Sequence, residues 1–109
     1  MIMDDLSKCR GFQWDKGNAE KNWIKHRVSR VEIEQAFFNR PLVVAEGEKG
    51  SDREHRYYTL GQTDEGRRLF IVFTIRDDLV RVISARNMNR RERRAYEHAK
   101  EAAETNSDV

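Results

Sequence analysis

An α+β fold is what this sequence predicts, with helices packed against one face of an antiparallel sheet of about four strands. Three observations carry the prediction. Residues 16–38 follow a helical period with capping signals at two points, and Pro41 stops them. From Leu42 to Ile83 the apolar residues fall into strand-like runs joined by short polar turns, and strands joined that way pair antiparallel. A last helix, rich in arginine, closes the chain after Asn89.

Phe12 and Trp14, two apart, share one side of a short strand, and Asp15 offers a cap to the first helix, from about Lys16 to Arg27. Ala19, Trp23 and His26 form its stripe at helical spacing, with Asn22 beside it, and Trp23 is expected in the core. Ser29 and Glu32 make a capping box for the second helix, and Val28 with Ile33 has the spacing of a hydrophobic staple. Ile33, Ala36 and Phe37 give that helix its apolar face. Leu42–Glu46 is a short strand, 47–54 a polar loop, and His55–Leu60 an alternating strand. The run LFIVFTI, residues 69–75, is apolar on both faces, as a central strand requires. Arg76–Asp78 turns the chain into a strand from Leu79. Asn89 and Glu92 can cap the last helix reciprocally. That helix runs to about Glu104 on a thin stripe of Ala95, Tyr96, Ala99, Ala102 and Ala103.

A chain of 109 residues makes one domain with a modest core. The expected layout is a loose leader over 1–10, a single domain over 11–104 and a frayed tail over 105–109. No apolar run approaches the roughly 20 residues of a membrane helix. MIMDDLSKCR lacks the apolar core of a secretion signal, and Cys9 is the sole cysteine, so the expected compartment is the cytoplasm and no membrane partner is expected.

Charge is unevenly spread. Between Arg81 and Arg94 stand six arginines and one acid, a balance of +5, whereas the whole chain is only +2. The remainder is therefore −3, from 15 basic against 18 acidic residues. Arg90, Arg91, Arg93 and Arg94 occupy the first turns of a helix, where the dipole already presents positive charge and each exposed cation costs roughly 0.3–1 kcal/mol. Such a cluster points to an anion, a phosphate or an acidic partner, at that helix start.

His26, His55 and His98 are far apart and none sits at ligand spacing with cysteine or another histidine, so no metal and no cofactor is expected. No glycine-rich loop for nucleotide phosphates precedes a helix. What remains is arginine, lysine, histidine, glutamate and tyrosine, an inventory that can cleave RNA without a metal. The 2′-hydroxyl is a built-in nucleophile, so proton transfer and cations on the developing phosphorane suffice. Arg81 and Arg86 lie five apart, on opposite sides of an ideal pleat, and need a bulge to face one ligand together. Arg56, Arg67 and Arg68 fall on neighbouring strands, and their company with the basic helix suits a phosphate-rich ligand. Lys25 and His26 form a second cluster. His26 is either a proton-transfer group or a hydrogen-bonded residue at a helix end. Tyr58 and its neighbours can stack on unpaired bases or pack in the core.

FQWDKGNAEKNWIKHRVS and EIEQAFFNRPL, followed by RYYTLGQTDEGRRLFIVFT and RVISARNMNRRERRAYE, closely resemble the BrnT family of bacterial type II toxins. The resemblance covers roughly Phe12–Tyr96. Arg27 stands where the family commonly has glycine, and Asn18 replaces a lysine often found after the Trp-Asp pair. The resemblance implies a small RelE-like fold and a metal-independent ribonuclease that blocks translation. It also implies a BrnA-type antitoxin with a ribbon-helix-helix domain, and operator DNA bound only through the antitoxin complex. Under it, Arg86, Arg81, Lys25, His26 and Arg56 are the catalytic candidates. Arg67, Arg68, Arg90, Arg91, Arg93, Arg94 and Tyr58 are the RNA-binding ones. A non-catalytic interaction module and a DNA-binding co-regulator acting through the basic helix stand as alternatives.

Overall fold

A computed structural model describes residues 6–47 and 55–107. In chain order it holds β1 (Phe12–Gln13), α1 (Lys16–His26), α2 (Arg30–Phe38), β2 (Val43–Glu46), β3 (Tyr57–Gln62), β4 (Arg68–Arg76), β5 (Leu79–Asn87) and α3 (Arg90–Ser107). The sheet has five strands in the order β1-β5-β4-β3-β2. This corrects the expectation of about four antiparallel strands. The short Phe12–Gln13 segment joins β5 in parallel and makes the sheet mixed, because it enters before α1 rather than by a hairpin. Most of the polar loop expected over 47–54 lies outside the described residues, as do 1–5 and 108–109.

One face of the sheet carries the core. Tyr57, Leu69, Ile71, Phe73, Val80, Val82 and Ala85 pack there against Val28, Ile33, Ala36 and Phe37. The Ser29 box is formed as expected: Ser29 Oγ accepts the Glu32 N–H at 3.2 Å and Glu32 Oε1 accepts the Ser29 N–H at 3.0 Å. Gly61 is where α2 comes closest to β3. A Cβ there would stand 2.8 Å from the Ala36 carbonyl oxygen, so only glycine admits this approach. Leu6 and Cys9 of the leader also pack against the core.

The first helix is rotated from its expected setting. Asn22 is buried and Trp23 is 47% exposed, with the Arg27 guanidinium 5.4 Å above its ring. The reason is polar: Asn22 Oδ1 accepts the Ala85 N–H of β5 at 3.0 Å, past the point where β1 ends. An amide unmet at a sheet edge outweighs the burial of one more ring. At the other end, the expected alanine stripe of α3 contributes little. Tyr96 is fully buried, while Ala95, Ala102 and Ala103 are exposed. Tyr96 stacks beneath Arg68 and donates to the Pro41 carbonyl at 2.7 Å, and burial pushes its hydroxyl pKa up. No helix among the described residues is long and apolar enough to cross a membrane.

Candidate active site

The hairpin of β4 and β5 builds the site. Its two loop residues, Asp77 and Asp78, have φ of 54° and 61°, the left-handed pair that a type I′ turn requires. From there the strands pair regularly until the register shifts: Phe73 faces Val82 but Val72 faces Ser84, so Ile83 is an extra residue. That bulge changes which way the following residues point. Arg81 pairs with Thr74 and Arg86 with Phe70, four residues apart on β4, so both arginines stand on one face. Ser84 stands between them, opposite Val72. The arginine backbones are about 13 Å apart at the ordinary rise of a strand. They suit two phosphates of one strand better than a single one.

This row lies on the face opposite the core. Arg68, Phe70 and Tyr58 share that face by register. Arg56, just ahead of β3, continues the alternation, and its carbonyl accepts the Gly47 N–H at 2.8 Å. Tyr58 and Phe70 stack with centroids 5.9 Å apart and planes 18° from parallel. The Arg86 guanidinium lies 4.3 Å from the Phe70 centroid, on the aromatic face favoured by a cation.

Carboxylates hold the sheet arginines in place. Arg86 Nη1 and Nη2 donate to Glu92 Oε1 and Oε2 at 2.8 and 3.0 Å, a bidentate fork. Glu92 also completes the expected capping box, accepting the Asn89 N–H at 2.8 Å while Asn89 Oδ1 accepts the Glu92 N–H at 2.8 Å. Burial opposes the charge on Glu92, but the Arg86 and Asn89 hydrogen bonds prevail and lower its pKa. Glu92 in turn raises the pKa of Arg86. Arg81 meets Asp15 at 3.6 Å, and Arg68 pairs with Glu97. Arg90, Arg91, Arg93 and Arg94, by contrast, are all exposed and make no ion pair among the described residues.

Three sequence candidates fall elsewhere. Arg67 is turned toward the core-side helices and stitches the end of α1. Its nitrogens donate to the His26 and Arg27 carbonyls at 3.1 and 2.7 Å, to Glu32 at 2.9 Å and to Asn87 at 2.8 Å. Those bonds engage four of the five N–H donors of Arg67, two of them on helix carbonyls that need donors at a C-terminus. Lys25 and His26 close α1, and their side chains make no hydrogen bond or ion pair with Arg81 or Arg86. Sequence reasoning had passed over Ser84, which the bulge brings into line, and gave Glu92 a capping role without its grip on Arg86. No three His, Cys, Asp or Glu side chains among the described residues gather where they can hold a metal.

The model of a family described as ribonuclease toxin, BrnT, of type II toxin–antitoxin system, matches residues 14–92. The chain belongs to the BrnT family. Its relatives are ribonuclease toxins, so RNA is the target class and an antitoxin the implied partner. The crystal structure of the Brucella abortus ribonuclease toxin BrnT, at 1.1 Å resolution, superposes with a TM-score of 0.52. At 17% identity, over 73% of this chain and 97% of that one, this likeness speaks for the fold. Curated proteins yield no match. The family match ends at Glu92, so it takes in the Arg81–Ser84–Arg86 row and stops short of Arg93 and Arg94. At Arg27 the left-handed cap survives without glycine, with φ of 54° and its N–H donating to the Trp23 carbonyl at 2.9 Å.

Proposed function

We propose that this BrnT-family toxin is a metal-independent endoribonuclease of RelE-like kind, acting on single-stranded RNA at the open face of the β4–β5 hairpin. The observation that carries this reading is the bulge at Ile83, which aligns Arg81, Ser84 and Arg86 on that face. Arg81 and Arg86 neutralise charge on the scissile phosphate and its neighbour, and preorganised cations of this kind lower the barrier most. Tyr58, on the Phe70 ring, offers a face to an unpaired base. Arg56, Arg68 and the four unpaired arginines of α3 follow the flanking phosphates.

The RNA's own 2′-hydroxyl attacks the adjacent phosphorus as it gives up its proton, and the 5′-oxygen leaves, taking a proton from solvent water to become the 5′-hydroxyl. Glu92 is a carboxylate at neutral pH, so it cannot donate the proton that the leaving oxygen needs. It aims Arg86 instead. A substrate phosphate competes with Glu92 for the same guanidinium, and the released carboxylate can accept the 2′-hydroxyl proton. Lys25 and His26, at the far end of α1, lie outside this reading. The partner is a BrnA-type antitoxin whose ribbon-helix-helix domain takes the complex to operator DNA, and the toxin acts in the cytoplasm on translated RNA.

Cleavage should persist in EDTA and leave 2′,3′-cyclic phosphate and 5′-hydroxyl ends, read by end-labelling and mass spectrometry. Loss of activity on chelation with rescue by magnesium overturns the mechanism. Tight RNA or DNA binding without any cleavage favours the non-catalytic module acting through α3.

A further inference from the structure

On the helix side of the molecule, away from the arginine row, the surface of α2 is unusually apolar. Phe38 is 75% exposed and Val31, two turns earlier on the same side of the helix, is 62% exposed. In a chain with 37% charged residues these are not covered by anything described. Beside Phe38 lies a groove of about 340 Å³ walled by Leu6, Phe12, Phe37, Phe38, Leu42 and Val80. That volume is at the low end for ligand pockets and takes about one or two side chains rather than a cofactor. Exposed aromatics beside a ready concavity mark protein contact sites, where one buried anchor supplies most of the binding energy.

The rim says what kind of protein. Among the described residues that line the groove, Arg10 and Arg40 are the charged ones, and both are cations. Arg40 Nη1 donates to the Phe37 and Asn39 carbonyls at 3.0 and 3.2 Å, which fixes the side chain, while Nη2 and Nε make no hydrogen bond among the described residues and can meet a carboxylate. We propose that this groove docks an acidic segment of the antitoxin, with one large apolar side chain seated beside Phe38 and flanking carboxylates on Arg10 and Arg40. The proposal rests on membership of a toxin–antitoxin family and is independent of where RNA is cleaved. It separates holding the toxin from covering its active face, since the groove and the Arg81–Arg86 row lie on opposite sides of the sheet. Charge on the rim steers the encounter, and the anchor sets the lifetime of the complex.

The test titrates the toxin with its antitoxin, recovered from the co-expressed complex by denaturing separation and refolded. Phe38→Asp should weaken the complex about 30-fold or more, the measure of a central anchor. Phe38→Leu should stay within about threefold of the native affinity. Arg10→Glu with Arg40→Glu should slow association and remove its salt dependence. In cells, Phe38→Asp should remain toxic when the antitoxin is present. Unchanged affinity for Phe38→Asp overturns the proposal, and so does an unchanged affinity joined to lower thermal stability, which gives the groove to the chain itself. A native toxin that is dimeric alone and becomes monomeric with Phe38→Asp gives it to a second copy, and also overturns it. If the native toxin cleaves no RNA, the ribonuclease reading fails while the binding arm still decides the groove.

Discussion

Arg67, just ahead of β4, and Arg86, on β5, each reach the third residue of a capping box, Glu32 on α2 in one case and Glu92 on α3 in the other. Both also touch Asn87, Arg67 at its side chain and Arg86 at its carbonyl. The pairs differ in what surrounds the rest of the guanidinium. Arg67 also donates to two carbonyls at the end of α1, so four of its five N–H groups are engaged. Arg86 lies against the Phe70 ring and faces the open side of the sheet. Residue type and ion-pair partner therefore do not distinguish a clamp from a site. The unused donors and the free face do.

The sharpest test separates the two arginines. Arg86→Ala should lower RNA cleavage by about 10²–10³-fold, the loss seen when one preorganised donor to a transition state is removed. Its unfolding free energy should fall by about 1 kcal/mol or less. Arg67→Ala should do the opposite, costing about 2–3 kcal/mol of stability because carbonyls and a carboxylate lose their donors. The folded fraction should cleave within threefold of native. Urea titration and an RNA cleavage assay read both, and similar losses on both axes for the two variants would break the comparison.

A smaller effect joins the pairs through pH. Burial disfavours the charged forms of Glu32 and Glu92, yet their hydrogen bonds prevail and both carboxyls sit below the ordinary 4.5. A depressed carboxyl contributes stability that is present above its unfolded value and lost as pH falls through its folded value. The urea midpoint should therefore drop below about pH 4.5, and Glu32→Gln with Glu92→Gln should flatten that acid limb. An acid limb of unchanged steepness in the double variant would show that neither pair carries it. The smallest effect concerns the cap beside Arg67. Arg27 holds a left-handed conformation that glycine adopts freely, and its contact with Trp23 offsets part of the strain. Arg27→Gly should raise stability by about 0.5 kcal/mol, visible as a higher thermal midpoint. A lower midpoint would mean that the Trp23 contact outweighs the strain.

Much of the fold was legible because its signals are local. The Ser29 and Asn89 caps, the Asp77–Asp78 turn and the apolar run of β4 all depend on residues a few positions apart. The parallel strand at Phe12 was legible only as a strand, since its partner Val80 is 68 positions away and no local pattern names it. Trp23 was misplaced for a similar reason. The rotation of α1 is set by an edge amide of Ala85, which the helix sequence does not contain. At the candidate site, the arginines were conspicuous by charge, and the need for a bulge was readable from their odd spacing. Its position was not, because a bulge is a property of two strands. Arg67 looked like Arg68 in sequence, and only the end of α1 tells them apart.

The extra residue at Ile83 has a consequence for how this surface can be lost. Residues after the bulge take their facing from their partners on β4. Deleting Ile83 would leave Arg86 opposite Phe70 on a regular ladder, but deleting Ala85 would leave every arginine in the chain and turn Arg86 toward the core, opposite Ile71. The surface is thus encoded by chain length as much as by composition. An insertion or deletion of one residue can abolish it where no substitution has occurred, and a count of matching residue types would not register the loss.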